Sequence, residues 1–381
     1  MFITLIGFVM NKKLLTVFFS CVIFSACDNT PKLESVYTFG EREEANVSEI
    51  VKDFTIVPLE LTDENQIMDA SEVRIAKDKI FVLDCYSPTN KTLHVFDMEG
   101  NYMGHVGTAG QGPGEYIMPM YFMINETGNL IYIRDMATNK LLAYNIETYD
   151  FVKEIPLEFY STCCELYGEN QFIWYINAGL RNEGDLKKHI QITDADCHVQ
   201  KSLMEPYDFP KRGLYNVMNC FMEIDGETYF HHPFLGEYNV VKNDSIASAF
   251  SLQFDHHSFP TAEYLTANKD AIIDKLKEDG YIQWCDAFLT DNTMACYFGI
   301  DKTQYWGIYD RKQAKGWYID RSKIKDDLGI GELSRPKAIY DNRFVNVVYT
   351  ENLEELPENS ILFQKGKEKI SGNPVILIFK P

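Results

Sequence analysis

Two histidine pairs, His231-His232 and His256-His257, are the side chains best suited to hold a transition metal. Neighbouring residues on a strand point to opposite faces, so neither pair brings both imidazoles to one ion, and a structural or surface role is expected. Asp84 and Asp135 each close a similar stretch, Lys79-Ile-Phe-Val-Leu-Asp84 and Leu130-Ile-Tyr-Ile-Arg-Asp135. A carboxylate in that place accepts hydrogen bonds from turn N–H groups, and its repetition favours this role over ligand binding. Arg134, just before the second aspartate, is a candidate cation for an acidic ligand. Neither a Gly-x-Ser-x-Gly elbow nor a His-Glu-x-x-His stretch occurs.

The loop Gly107-Thr-Ala-Gly-Gln-Gly-Pro-Gly-Glu-Tyr116 is more specific. Its four glycines and one proline within residues 107–114 demand a tight connection that larger side chains would obstruct. The Lys-Ser/Thr of a phosphate-binding loop is missing, and no helical pattern follows. The loop reads as a structural turn that also offers Gln111 and Glu115 as candidate ligand contacts.

The elements that position these residues are short strands. Tyr, Phe and Trp make up 14% of the chain, and Gly, Asn and Asp recur between short apolar stretches. Each of the two similar stretches is followed by a second strand, Leu93–Asp97 or Leu141–Asn145, then by a polar turn. A third strand comes next, Tyr102–Val106 or Phe151–Ile155. Units of this length carrying about four strands are propeller blades. Gln171–Asn177 with His189–Thr193 fits a third unit; Gly226–Phe230, Tyr238–Val241 and Ala249–Phe254 fit a fourth. Met294–Gly299, Tyr305–Tyr309 and Gly316–Ile319 fit a fifth, and Arg343–Tyr349 with Pro374–Phe379 a sixth. Residues 261–279 break the pattern: Thr261 after Pro260, an apolar face of Leu265, Ile272, Ile273 and Leu276, and a stop at Gly280 predict one amphipathic helix inserted on a rim.

The glycine-rich loop, with Val57-Pro-Leu-Glu60, Phe81-Val-Leu-Asp84, Val95-Phe-Asp-Met-Glu-Gly100 and Asn373-Pro-Val-Ile-Leu-Ile-Phe379, resembles the six-bladed β-propeller lipoproteins of Bacteroides and relatives, which are NHL-like in shape. The resemblance is close over residues 54–160 and at the C-terminus. It implies an all-β, six-bladed propeller and an envelope location, and it carries over no activity. In such a fold Gln111, Glu115 and Arg134 are expected near the central channel, where propellers bind ligands.

At the N-terminus, Asn11-Lys12-Lys13 precedes thirteen residues, 14–26, that form an apolar run ending in Phe24-Ser25-Ala26-Cys27. A helix needs about 20 apolar residues to span a bilayer, so the run is too short. Basic residues, a short apolar core and small residues before a cysteine are the pattern of a lipoprotein signal, with Met10 as the expected start. Residues 1–26 are therefore expected to be removed and Cys27 to be lipidated. Phe24 stands where the bacterial pattern usually has Leu. Residues 27–52 are expected to tether the lipid to a propeller spanning 53–381.

Loss of Lys12 and Lys13 with an acid-free segment takes the formal charge from −20 to −22. That charge argues against nucleic acid or an anionic membrane surface as partner. Seven cysteines remain besides Cys21 and Cys27; their odd number and irregular spacing give no disulfide framework or zinc pattern. The expected function is a binding or scaffold module for a glycan, peptide or protein, anchored through Cys27 at the outer membrane, with no cofactor. The enzyme alternative is a hydrolase or lyase holding calcium or zinc in the channel.

Overall fold

The computed structural model describes residues 35–86, 91–161, 163–177, 182–207, 220–232, 234–243, 245–349, 360–362 and 372–381. The signal segment and Cys27 lie outside the described residues.

Six blades follow one another along the chain. The first four comprise Glu72–Val106, Pro119–Pro156, Cys163–Leu203 and Phe221–Phe254, and the fifth Trp284–Asp320, each a four-stranded antiparallel meander. The sixth combines Ala338–Tyr340, Arg343–Val348 and Val375–Lys380 with an outer strand from the other end of the chain, Lys52–Pro58. Pairing of Val57 with Ile376 and of Thr55 with Ile378 closes the ring between the two chain ends. Asn373 reinforces the closure: its Oδ1 accepts from the Ile67 amide, and its own amide donates to the carbonyls of Glu60 and Asn65.

The repeat seen in the sequence has a hydrogen-bonding basis. Asp97, Asn145, Asp194 and Asp310 end the third strands of four blades, and the Oδ1 of each accepts two backbone N–H groups of the following turn. Asp84 and Asp135 end second strands and reach sideways. Asp84 accepts from the Met68 amide, and Asp135 from those of Ile117 and Met118, so each carboxylate ties down the loop that enters its own blade. The turn-binding role expected for both is what the geometry shows.

The core is layered between neighbouring blades. Phe81, Leu83, Val95, Phe122, Ile133 and Leu142 fill the first interface, and Leu141, Ala143, Phe172, Trp174 and Ile192 the next. All seven cysteines outside the N-terminal segment are buried and none forms a disulfide, in keeping with small apolar packing residues.

Two sequence expectations change. The tether drawn over residues 27–52 contains structure: Val36–Glu41 lies parallel to both Ser251–Phe254 and Gly316–Tyr318, joining the outer edges of the fourth and fifth blades into one nine-stranded sheet. Tyr37 and Phe39 alternate inward from it, fully buried against Phe250, Phe254 and Tyr309. The inserted helix is real but split, into Ala262–Ala267 and Ile272–Glu278. Asn268 stops the first part by turning its side-chain amide back onto the Tyr264 carbonyl. Leu265, Ile272 and Leu276 pack on Phe234, whereas Ile273, placed on the same face in the sequence reading, is exposed.

Candidate functional site

The innermost strand of every blade reaches the axis, and together the six line a cavity of about 480 Å³. Along the first of these strands, Glu72 and Arg74 are two residues apart and so project to one side. Arg74 is the hub. Its Nε donates to Glu72 Oε1 at 2.9 Å, and its Nη1 and Nη2 grip Glu165 of the third blade at 3.3 and 2.8 Å. Nη2 also meets the Tyr121 hydroxyl of the second blade, which donates to Glu165 Oε2 at 3.2 Å. The guanidinium lies 5.0 Å from the Tyr121 ring centroid, adding a cation–π contact.

The opposite wall repeats the theme. Arg335, in the segment leading into the sixth blade, pairs with Asp286 of the fifth. Two residues on, Lys337 reaches the first blade, where its ammonium donates to the Ser71 carbonyl at 3.3 Å. Beside it, the Tyr349 hydroxyl accepts from the Ala70 amide at 2.9 Å and donates to Asp69 at 3.0 Å.

These charges are not all matched. Burial pushes the Glu72 carboxyl up to about 7, with Arg74 opposing and Glu165 adding to the rise. Oε2 of Glu72 is buried, and the Phe122 backbone N–H beside the carboxyl opposes the rise together with Arg74. Burial, helped by the neighbouring Arg335 charge, pulls the Lys337 ammonium down to about 8. Asp69, Asp286 and Glu72 oppose that fall without reaching contact distance of the ammonium. Perturbed groups that line one cavity make it the candidate functional site.

Glu72, Arg74, Tyr121 and Lys337 come early in the inner strands or just before them, and further along the lining mixes Ile124, Leu166, Leu289 and Ile339 with the acidic Glu126 and Glu223. The end bearing Glu72 and Lys337 opens among the loops that enter the inner strands. Antiparallel pairing returns the second strands there, Glu72 facing Leu83. Those loops present Met68, Tyr86, Ile117, Tyr160 and Tyr349, which are between 38% and 59% exposed. Exposed rings grouped around a polar mouth are a common feature of binding surfaces.

A family model described as a 6-bladed beta-propeller, DUF5128, matches residues 25–346. The chain belongs to that family. Among solved structures, an exported-protein candidate from Bacteroides fragilis is similar, with a TM-score of 0.80 and 21% identity over 91% of this chain and 100% of its own. A DUF4221 member from Bacteroides vulgatus aligns with a TM-score of 0.54 and 10% identity over 87% and 97% of the two chains. No curated protein matches the sequence.

Within this propeller the side chains singled out from sequence lie away from the cavity wall. Gln111 is exposed on the glycine-rich loop. Glu115 turns back into that loop, its Oε2 accepting from the Gly112 amide at 2.7 Å. A Cβ at Gly110 would stand 2.0 Å from that same oxygen, so the loop closes around the carboxylate. Arg134, expected to face the channel, is instead buried in the second blade, donating to the carbonyls of Asp135 and Lys140 and to Asn139 Oδ1. The reason is position: it sits on a second strand, one place outward from the axis. His231 and His232 are buried, and His256 and His257 sit beside Glu41 and the Tyr305 ring respectively.

The residues that do line or adjoin the cavity, Glu72, Arg74, Tyr121, Glu165, Asp286, Arg335 and Lys337, were missed. Their one sequence signal is a pair of charges spaced by two at the start of an inner strand, Glu72-Val-Arg74 and Arg335-Pro-Lys337.

Proposed function

We propose that this propeller is a binding or scaffold module of the cell envelope, held to the outer membrane by lipid on Cys27. Its charged channel mouth takes a glycan, a peptide or a segment of a partner protein. The observation that carries the reading is the buried Lys337 ammonium, which no carboxylate contacts among the described residues, set in a cavity with exposed tyrosines among the loops at its entrance. A buried charge without a partner is costly, and a ligand that supplies one recovers that cost on binding. The exported-protein candidate of like fold from Bacteroides fragilis and the lipobox-like run ending at Cys27 support the location.

Binding is favoured over a channel metal enzyme by how the carboxylates are arranged. Glu72 and Glu165 share Arg74, and Asp286 is held by Arg335. Among the described residues no group of three or more His, Cys, Asp or Glu side chains is disposed to hold a metal ion.

The test is a screen of the purified protein on glycan and peptide arrays, repeated with Tyr86→Ala and Tyr160→Ala. Saturable binding that weakens about tenfold in the rim variants, with melting temperature unchanged, is the expected result. Binding insensitive to both rim substitutions and to Lys337→Met in the channel would overturn the reading. Incorporation of a labelled fatty acid into the wild type, and its loss in Cys27→Ala, tests the anchor separately.

A further inference from the structure

Resting on the envelope location proposed above, we infer that Cys163 and Cys220 are a site of oxidative modification, joined as a disulfide between the third and fourth blades once the chain is exported. The structure shows the reduced pair. Both cysteines stand at the head of an inner strand, in neighbouring blades. Cys163 faces Tyr175, the last residue of its second strand. Cys220 holds the same place in the next blade, its carbonyl accepting from the amide of His231, again the last residue of a second strand, at 3.2 Å. The two thiols share a hydrogen bond, so their sulfurs are already in contact. Each residue is 1% exposed, and both belong to one stretch of core. The bacterial envelope is oxidising, and thiols that meet there form disulfides that persist.

The other cysteines are placed differently. Cys164 points to the opposite face of the strand and lies near Arg134 of the second blade. Cys285 and Cys296 face Phe298 and Ala287 respectively, which sets them on a diagonal of about 7–8 Å, beyond the ordinary reach of a disulfide. The Cys85 thiol bonds to Ser71 Oγ, and Cys197 lies in the turn between the third and fourth strands of its blade. The oxidant is a disulfide-bearing compound or protein of the envelope. One cysteine thiolate attacks it and expels one of its sulfurs; the second thiolate attacks the mixed disulfide and expels the other. Two S–H bonds give way to one S–S bond, and the oxidant leaves as two thiols carrying both protons and both electrons. Burial holds the folded Cys220 thiol protonated, so the exchange belongs to the folding chain, before the two blades pack. The bond ties the fourth blade to the strand that carries Glu165 to the channel.

Peptide mapping tests the pairing. The full chain, with its own N-terminal segment, is expressed in a Gram-negative bacterium, its thiols are blocked with N-ethylmaleimide at lysis, and it is digested without reductant for mass spectrometry. A peptide linked through Cys163 and Cys220, separated by dithiothreitol, is the expected result. In a second arm the purified protein is unfolded in guanidinium with reductant and refolded with oxidised glutathione. The linked form should melt about 5–10 °C above the reduced form, and Cys163→Ala or Cys220→Ala should remove that difference. Free thiols at both positions in both arms, or a bond from Cys220 to Cys164, would overturn the inference. A bond formed on refolding but absent from the cells would uphold the pairing and overturn the envelope location instead. The mapping uses the wild type, so it decides the question even if a variant fails to fold.

Discussion

Arg74 of the first blade and Glu165 of the third meet at 2.8 Å past the inner strand of the second, whose Tyr121 bonds to the same carboxylate. Three successive blades are thus stitched together at the channel wall by one guanidinium. Both partners are about a quarter exposed, so the pair is neither dry nor freely solvated.

Arg74→Met should destabilise the protein by about 2–4 kcal/mol, because it strands Glu72 and Glu165 rather than merely deleting a contact. Urea unfolding of Arg74→Met, Glu165→Gln and the double variant checks this. The double variant should lose clearly less than the sum of the two single losses, the coupling expected of groups in one network.

Phe39→Ala should cost about 3–5 kcal/mol, the range for emptying a buried aromatic site. Phe39 is fully buried between the fourth and fifth blades and stacks on Phe254 at 5.0 Å. Were residues 27–52 only a tether, the substitution would leave the unfolding midpoint unchanged, so one denaturation curve separates the two descriptions.

The folded state should lose stability through Glu72 as pH rises from about 4.5 to about 7. Its carboxyl titrates near 4.5 when unexceptional and at about 7 in the fold, so the folded chain holds the extra proton between those values. That contribution is complete below about pH 4.5 and is lost as pH rises through about 7, amounting to about 3 kcal/mol at most. Lys337 acts in the opposite sense: its contribution is present above about 10.5 and is lost as pH falls through about 8. Relative to the wild type, Glu72→Gln should therefore be more stable at pH 8 than at pH 5, measured as urea midpoints.

Glu115→Ala should cost about 1–2 kcal/mol while leaving ligand affinity unchanged. The carboxylate holds the Gly112 amide and fills the space within its own loop, and the alanine variant leaves a donor unsatisfied. Calorimetry and thermal unfolding on the same sample read the two effects. A loss of affinity without a loss of stability would return Glu115 to the ligand site.

The fold was legible because a propeller repeats itself in the sequence. Strand-ending Asp84 and Asp135, the turn-capping Asp97 and Asn145, and the glycine-rich loop are local devices: each side chain bonds to backbone nearby in the chain, so spacing alone shows its role. The split of the inserted helix at Asn268 is local too, but the apolar spacing of Leu265, Ile272, Ile273 and Leu276 runs on across it and hid it.

By itself, then, the sequence determined blade number, strand order and the structural work of the repeated carboxylates, since those depend on short-range hydrogen bonding and alternating burial. Only the tertiary structure decided where the charges converge. Arg74 meets a residue 91 positions away, and Lys337 reaches Ser71 across 266. Val36–Glu41 finds its partners more than two hundred residues downstream. Ring closure alone sets those distances, and the same closure buries Arg134 in a blade while leaving Glu72 and Lys337 at the axis.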